Sequence, residues 1–370
     1  MTPCDCSAAG DDTRFRRFVQ RWRWPGRETG HGEKLTRTLD RAIFVPTPLM
    51  IAQISARSIS RAVQEQLHRS PASHLDAHVL AVFEHACDLV THEGDVVALV
   101  MPRAGNGPLN VVVDGPAGLF AGLEQGDPAT LAGECLRVGR LRVDLGAAAV
   151  WEPRPDWDAL RARRDAIVAS LPLLRDLCLH VAPAGSLLSG ASDGRTPGFS
   201  REIPTEVGRP PLVVPPIQDG AHADAVFAAV WRAAEALREG WQGKTERLHE
   251  GVLGLAGLGS GLTPAGDDYL TGALLWAWLA HPAPAPFCRA LVEAAIPRTT
   301  LLSAAFLRAA ARGECSAPWH SLLGALGQRV EAQGTGWQPA LHKVVQEIMA
   351  HGATSGADTL AGFLYASEFR

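Results

Sequence analysis

A long segment rich in proline, glycine and serine, residues 182–220, divides the chain into two parts of different character. A loop of this length without secondary structure of its own is uncommon inside a compact domain. We therefore interpret residues 181–220 as a connection between two domains or as a cover over a site. The parts on either side of it are expected to fold differently.

The part before this segment mixes short strands with helices. Turn residues around short apolar runs predict strands at residues 95–101 and 109–113, and alternation of apolar and polar residues predicts a third at 136–145. A helix is predicted at residues 156–174. We expect residues 36–180 to form a mixed strand and helix domain.

One further helix is predicted over residues 79–90, where apolar residues recur at helical spacing. His85, Asp88 and His92 lie on the opposite face of this predicted helix. Three potential metal ligands share that face, but the sequence places no fourth ligand beside them. We interpret them as a solvated polar face rather than a metal site.

The part after the connection, residues 221–370, is rich in alanine and contains eight segments of helical pattern, mostly separated by glycine or proline. These segments are 221–239, 245–255, 264–279, 286–296, 299–312, 316–332, 337–350 and 355–366. The expected fold class is α+β, with a mixed α/β N-terminal domain followed by an all-helical C-terminal domain. Residues 1–35 are polar and rich in arginine, and we expect them to form a flexible tail.

Composition excludes several classes of protein. The chain has 370 residues, of which 46% are hydrophobic and 20% charged, as in ordinary globular proteins. A net charge of -4 argues against a dedicated binder of nucleic acid or anionic membranes. The sequence has neither a transmembrane-length apolar run nor a signal-like N-terminus, so the cytoplasm is the simplest location. Seven scattered cysteines indicate reduced thiols and no structural zinc site.

The most unusual stretch is GLAGLGSGLTPAGDD, residues 254–268. Its glycines allow the backbone to approach a ligand closely, while Thr263 and Pro264 suit the N-cap and first position of a helix. A glycine-rich loop that leads into a helix N-terminus is a typical anion site. The alternative is a tight turn between helices, in which Asp267 and Asp268 merely complement the helix dipole.

A second stretch repeats this one 90 residues later in the chain. Residues 266–274 and 356–364 share Gly, Asp, Leu, Gly and Leu in register, so that Asp268 corresponds to Asp358. We hypothesise that two helix N-termini converge on one site, with Ser355 and Gly356 contributing to it. The alternative is that two helices simply cross at small residues, which explains the glycines but not the repeated aspartates.

Between the repeats lies a third candidate, residues 298–303. Thr299 or Thr300 can cap the helix that follows, and Ser303 shares a helix face with Thr299. Arg298 can bind a phosphate or carboxylate through two parallel hydrogen bonds. An N-cap beside a surface arginine is an equally good interpretation.

The run GLGSGLTPAGDDYLTG, residues 257–272, closely resembles the signature of the AllH-like family, formerly a domain of unknown function, whose pattern is roughly G-L-G-x-G-L-T-P-x-G-D-D-x-L-x-G. Residues 298–303 and 354–358 look like two further blocks of this family. The resemblance is strong over residues 250–370. It is looser over residues 75–155, and residues 1–35 and the connection have no counterpart.

The resemblance implies a subunit of oxamate carbamoyltransferase, acting in allantoin and purine breakdown. The reaction would be carbamoyl transfer between oxalurate, or a related ureido compound, and phosphate. The implied partners are other subunits, one FdrA-like and one of a second kind, and a small-molecule substrate, without nucleic acid or membrane. No cofactor is required, although Mg²⁺ is possible.

From these motifs we infer a candidate site, without assigned metal ligands. The glycine-rich helix N-terminus and Arg298 would hold phosphate or carboxylate, and the aspartates would orient an amide NH₂ group or hold a cation. The candidate catalytic residues are Asp267, Asp268 and Asp358. The candidate substrate-binding and anion-binding residues are Gly259, Ser260, Gly261, Thr263, Gly266, Arg298, Thr299, Ser303, Ser355 and Gly356.

Two other classes of function remain open. The paired Gly-x-Asp helix starts resemble those of ADP-ribosylglycohydrolases, which would imply a stand-alone Mg²⁺-dependent hydrolase. A non-catalytic subunit that organises its partners is the other possibility. Substitution of Asp268 or Arg298 would then damage assembly rather than turnover.

Overall fold

The computed structural model describes most of the chain after residue 51. The described residues are 52–69, 75–188, 220–328 and 337–369. The predicted tail and most of the predicted connection, residues 189–219, lie outside them.

The described residues before the connection form a closed β-barrel. Its strands are β1 (Ala52–Ser60), β2 (Leu75–Val82), β3 (Ala86–Thr91), β4 (Val96–Val100), β5 (Asn110–Val113), β6 (Pro128–Ala132), β7 (Cys135–Val138) and β8 (Leu141–Asp144). They pair in the order β5-β4-β3-β2-β6-β7-β8-β1, and β1 pairs back with β5 to close the ring. A ninth strand, β9 (Ala149–Trp151), adds to β1, and helix α1 (Arg61–Arg69) follows β1.

Alternate residues of the strands fill the barrel. An eight-stranded barrel is just wide enough for side chains to occupy its interior. Successive side chains of a strand point to opposite faces, so every second residue points inward. The buried core includes Val79, Leu89, Leu99, Val111, Leu136 and Val143.

The barrel shows that the predicted fold class is wrong for the N-terminal part, which is not a mixed α/β domain. Hydrophobic periodicity reports each element separately, whereas closure depends on pairings between distant segments. Strand β1 pairs in parallel with β8, where Ala52 lies opposite Leu141, and antiparallel with β5, where Ala56 lies opposite Val113. No local sequence pattern predicts either of these strand pairings.

The predicted helix over residues 79–90 is also wrong. The segment contains the end of β2, a bend at Glu84 and His85, and most of β3. The Phe83 amide donates to the carbonyl oxygen of Ala86, which turns the chain back on itself. Short apolar runs fit helix and strand equally well, and here the strand interpretation holds. Asp88 is buried at 6% exposure, so it does not belong to a solvated polar face.

Two other predicted elements are divided in the structure. The segment predicted as one strand, residues 136–145, is a hairpin of β7 and β8 in which Gly139 adopts a positive φ of 50°. The segment predicted as one helix becomes α2 (Trp157–Ala162) and α3 (Arg164–Val181), with Asp156 capping α2 through the amide of Ala159.

The remaining described residues form a helical part. Its helices are α4 (Gly220–Trp241), α5 (Thr245–Leu255), α6 (Ala265–Ala280), α7 (Pro284–Ala295), α8 (Leu301–Ala311), α9 (Ala317–Gly327), α10 (Trp337–Met349) and α11 (Ser355–Ala366), with a 3₁₀ turn at Ile296–Arg298. Helix α6 is the central element, because nearly all of its residues are buried. A helix that is apolar on every side is stable only when other elements surround it.

Helices α6 and α11 cross at two glycines that correspond in the internal repeat. A Cβ atom at Gly272 would lie 1.9 Å from the carbonyl oxygen of Thr359, and one at Gly362 would lie 1.9 Å from that of Tyr269. Any side chain would therefore collide with the backbone of the other helix. The proposal that the two helices cross at small residues is confirmed for this pair.

The other repeated pair of glycines packs each helix against the one before it. A Cβ atom at Gly266 would lie 2.0 Å from the carbonyl oxygen of Leu255, at the end of α5. A Cβ atom at Gly356 would lie 1.8 Å from the carbonyl oxygen of Ile348, near the end of α10. The repeat is therefore one of packing as well as of sequence.

The N-terminal half of α8 packs against the barrel. Leu302 and Ala305 form a small buried cluster with Val96 of β4 and Leu109. This contact fixes the start of α8, which contributes to the candidate site.

The described part of the chain contains no helix of the length and apolar character needed to cross a membrane. No disulfide joins the cysteines of the described part, which are Cys87, Cys135, Cys178, Cys288 and Cys315. Cys4 and Cys6 lie outside the described residues.

Candidate functional site

The N-termini of α6 and α11 meet. The hydroxyl oxygens of Thr263 and Ser355 are 2.9 Å apart and share a hydrogen bond. The sequence predicted Thr263 as the N-cap of α6, and this prediction is wrong. Pro264 occupies that position and the helix begins at Ala265. The Thr263 hydroxyl joins the two helices instead.

Asp267 joins the glycine-rich loop (residues 256–264) to the turn between α7 and α8. Its Oδ1 accepts a hydrogen bond of 2.9 Å from the amide of Gly257, and its Oδ2 accepts one from the Thr299 hydroxyl. Burial raises the pKa of Asp267, while hydrogen bonding by Thr299, Gly257 and Ser303 opposes the rise. Since both carboxylate oxygens have partners within the chain, Asp267 holds the site together.

Asp268 is buried beside Asp267 but is bonded differently. Only 9% of the residue is exposed, and its Oδ2 has no hydrogen-bond partner among the described residues. Burial raises the pKa of Asp268 to about 8; Ser355 opposes the rise, whereas the negative charges of Asp358 and Asp267 add to it. The carboxyl group is therefore largely neutral near pH 7.

Asp358, the counterpart of Asp268 in the repeat, is fully buried at the start of α11. Its Oδ1 accepts a hydrogen bond of 2.6 Å from the amide of Leu187, while its Oδ2 has no partner among the described residues. Burial raises the pKa of Asp358 to about 6, and hydrogen bonding by Leu187 and Thr354 opposes the rise. Asp268 and Asp358, here called the carboxyl pair, thus each present one unpartnered oxygen.

Leu187 is a site residue that sequence reasoning missed. It lies just after α3, where the predicted connection begins, and it is buried together with Ser186. Gly185 turns the chain with a φ of 85°, and the Ser186 hydroxyl donates to the carbonyl oxygen of Pro183. The only sequence signal is the turn residues themselves, and nothing in them points to α11.

The glycine-rich loop uses its glycines for shape. Gly257, Gly259 and Gly261 adopt φ values of 72°, 119° and 99°, which other residues rarely accept. A Cβ atom at Gly257 would lie 2.2 Å from the carbonyl oxygen of Arg298, so the loop packs tightly on the turn before α8. Residues 259–262, which include Ser260, are exposed at the tip of the loop.

The structure shows which of the two threonines before α8 caps this helix. Thr300 caps the helix by accepting a hydrogen bond of 3.1 Å from the amide of Ser303, and its hydroxyl donates to the carbonyl oxygen of Leu262. Thr299 serves Asp267 instead. The Ser303 hydroxyl is buried and forms no hydrogen bond of normal geometry with the described residues. The Arg298 side chain is exposed.

Five of the backbone amides at the two helix starts already have acceptors. The Gly266 amide donates to the carbonyl oxygen of Leu258, and the Asp267 and Asp268 amides donate to that of Pro264. In the same way, the Gly356 amide donates to the carbonyl oxygen of His351 and the Asp358 amide to that of Thr354. These amides are therefore less available as hydrogen-bond donors to an anion than the sequence indicated.

The structure thus gathers the three predicted catalytic aspartates with Thr263, Thr299, Ser303 and Ser355. Gly266 and Gly356 lie at the same place but serve helix packing, whereas Gly259, Ser260, Gly261 and Arg298 lie at the surface. Within the described ranges, no group of three or more His, Cys, Asp or Glu side chains is arranged to hold a metal ion.

Comparison with known proteins gives two matches. A family model described as oxamate carbamoyltransferase subunit AllH matches residues 255–367, and the AllH family N-terminal domain matches residues 55–150. Together the matches cover more than half of the chain, including the barrel and nearly all of the site. No solved structure matches the chain.

Proposed function

Because the chain belongs to the AllH family, we propose that it is the AllH-type subunit of a carbamoyltransferase and carries a substrate site of that enzyme. The reaction is carbamoyl transfer between oxalurate, or a related ureido compound, and phosphate. It belongs to the breakdown of allantoin and purines in the cytoplasm. An FdrA-like subunit and a second kind of subunit complete the enzyme.

The observation that supports a site on this chain is the meeting of α6 and α11. The Thr263–Ser355 hydrogen bond brings together two buried aspartates, Asp268 and Asp358, that each keep one oxygen without a partner in the described part of the chain. Buried polar atoms normally have hydrogen-bond partners, and exceptions in native proteins often mark functional places. A purely structural subunit would have no need of this arrangement.

The chemistry requires a proton at a defined place. A phosphate oxygen attacks the ureido carbonyl carbon, the bond from that carbon to the oxamate nitrogen breaks, and the nitrogen takes up a proton. The products are carbamoyl phosphate and oxamate. Asp268 is kept protonated near neutral pH by its burial, so it is suited to supply that proton.

Different residues of the site are suited to bind the anionic end of the substrates and to act on the reacting groups. The exposed loop tip, residues 259–261, and the Arg298 guanidinium would hold the phosphate or carboxylate end of the substrates. Asp267 would act as a positioning residue, because its oxygens already bind Gly257 and Thr299. Of the three aspartates, this leaves Asp268 and Asp358 for the reacting groups.

The test is turnover by the enzyme reconstituted with its partner subunits. We expect the Asp268→Asn variant to lose about 100-fold or more in kcat, in line with removal of a general acid, while assembly measured by size-exclusion chromatography is unchanged. The matched control is Asp88→Asn, which also removes a buried carboxyl group with a raised pKa, but in the barrel. Unchanged turnover in Asp268→Asn would reject the proposal.

A further inference from the structure

Two buried carboxyl oxygens lie where α6 and α11 begin and have no hydrogen-bond partner among the described residues. They are Oδ2 of Asp268 and Oδ2 of Asp358. Both residues are at least nine-tenths buried. The site therefore offers mainly hydrogen-bond acceptors to whatever enters it.

Several of the usual donors of a helix N-terminus are not available to balance these acceptors. The amides of Gly266, Asp268, Gly356 and Asp358 already donate to carbonyl oxygens within the chain. A phosphate or carboxylate placed here would face two carboxyl groups and few free donors. A group with its own N–H donors could hydrogen-bond to the unpartnered carboxyl oxygens.

We propose that the carboxyl pair is a subsite for a neutral planar group that bears an NH₂, such as a primary amide or ureido group, and that it rejects phosphate and carboxylate. This rests on the proposed function, for which the subsite would hold the carbamoyl end of the substrate. The anionic end then lies toward the exposed loop tip.

The two members of the carboxyl pair are not equivalent, and the difference suits an amide. The Leu187 amide holds Oδ1 of Asp358, so its Oδ2 is left as a fixed acceptor. Asp268 has the higher pKa of the two, so at neutral pH it is the member that carries a proton. The pair therefore presents one acceptor and one donor, which complement the NH₂ and the C=O of a primary amide.

The structure also bears on the choice between an amide and a cation. Asp267 is committed to Gly257 and Thr299, so only two carboxyl groups remain at the site. Within the described ranges no third His, Cys, Asp or Glu side chain joins them to hold a metal ion. An amide needs no third ligand.

Leu187 is the positioning residue of this subsite. Its amide fixes Asp358, and its place after α3 is remote in sequence from the motif that carries the aspartates. A Leu187→Pro substitution removes the donor and frees Asp358 to turn. We expect it to weaken amide binding while Asp268 remains in place.

The test compares two probes of nearly the same shape. Oxamate and oxalate differ in one group, NH₂ against O⁻, so their comparison tests whether the site prefers a neutral hydrogen-bond donor to a negatively charged acceptor. We expect saturating oxamate to raise the melting temperature of the purified full chain by a few degrees. Any response to oxalate or inorganic phosphate should come from the loop tip and Arg298 and should be unchanged by substitution of the carboxyl pair, and Mg²⁺ should have no effect. The oxamate response should disappear in Asp268→Leu, which removes the donor, and in Asp358→Asn, which puts an NH₂ in competition with that of the ligand, and it should persist in Asp88→Asn.

Several results would overturn the proposal. A response to oxalate or phosphate that changes in Asp358→Asn would show an anion site at the carboxyl pair, and a response to Mg²⁺ lost in Asp358→Asn would show a cation site. No response to any probe would also overturn it, because the pair is formed within this chain. The oxamate measurement uses the unsubstituted chain, so it stands even if a variant fails to fold.

Failure here is distinguishable from failure of the proposed function. Turnover of the reconstituted enzyme can depend on Asp268 even if the isolated chain binds oxalate as well as oxamate at the carboxyl pair, in which case only the ligand class is wrong. If turnover is indifferent to Asp268 while oxamate still binds selectively, the function is wrong and the subsite stands.

Discussion

The hydroxyl groups of Thr263 and Ser355 hydrogen-bond to each other across 92 residues of sequence. Each lies at the beginning of one of the two helices that carry the carboxyl pair. The bond ties the glycine-rich loop to the start of α11, so the two halves of the internal repeat are held together at the site itself.

Removal of either hydroxyl should therefore weaken the fold through the same interaction. We expect Thr263→Val and Ser355→Ala each to lower the free energy of unfolding by about 1 kcal/mol, and the double variant to lose less than the sum. Urea denaturation measures this. Ser170→Ala, which removes a buried hydroxyl bonded to Ala166 and Leu326, should combine additively with Thr263→Val.

The crossing of α6 and α11 should tolerate no added atom. Gly272→Ala or Gly362→Ala places a methyl group against a backbone carbonyl of the other helix, and we expect a loss of at least about 3 kcal/mol in the free energy of unfolding. Gly324→Ala in α9 is the matched control, because nothing lies within 4 Å of the new atom. That variant should gain about 0.5–1 kcal/mol from helix propensity. Equal effects at the three positions would contradict the close crossing.

The Thr299 hydroxyl should matter because of Asp267. Thr299→Val keeps the shape of the side chain but leaves Oδ2 of Asp267 without its donor, at an expected cost of about 1–3 kcal/mol. Thr299→Ser retains the hydroxyl and should lose much less. Thermal unfolding of the two variants measures the difference, and similar losses in both would show that packing of the methyl group dominates.

The carboxyl pair should make stability fall as pH rises. The folded state holds the proton of Asp268 to about pH 8, whereas the unfolded chain releases it near pH 4. The stabilisation from this proton is complete below about pH 4 and is lost as pH rises through about 8. Asp268→Asn removes this dependence, so its stability relative to the unsubstituted chain should increase with pH across that window, by on the order of 1 kcal/mol per pH unit.

Asp88→Asn provides the control for that pH dependence. Burial raises the pKa of Asp88 only to about 6. The stability of Asp88→Asn relative to the unsubstituted chain should therefore stop increasing above that pH. Urea denaturation at pH 5, 7 and 9 separates the two curves. Parallel curves for the two variants would mean that Asp268 is not the more strongly perturbed carboxyl group.

The described cysteines should differ sharply in reactivity. Burial raises the pKa of the Cys87 and Cys288 thiols to about 12 and also raises those of Cys178 and Cys315, so little reactive thiolate forms. Cys135 is only half-buried. Iodoacetamide on the native chain should label Cys135 first among these five, as read by peptide mapping. Early labelling of Cys178 would contradict its burial in the helical core.

Local signals predicted the helical part well. Glycine and proline between apolar repeats gave α5 and α11 with the same bounds as the structure. The internal repeat predicted that two helix starts meet, which the Thr263–Ser355 bond confirms as geometry. The binding roles of these residues stay a prediction.

Long-range relationships were beyond the sequence signals. Barrel closure joins β1 to β5 and β8, and the bond from Leu187 to Asp358 joins residues 171 positions apart. Neither leaves a periodic trace. The role of Asp267 was missed for a similar reason, because a dipole argument places an acid at a helix start but does not identify its distant donor, Thr299.

Helix α11 is the last described element along the chain, and this position has a consequence for biosynthesis. Helix α6 is apolar on every side, and the face that contains Gly272 is covered by α11, which is translated after every other described element. Until then the nascent chain exposes this face, while the barrel is already complete. Folding intermediates with exposed apolar surface are prone to aggregate. A ribosome stalled between α6 and α11 would therefore present a chaperone substrate with a folded barrel and an open helical core.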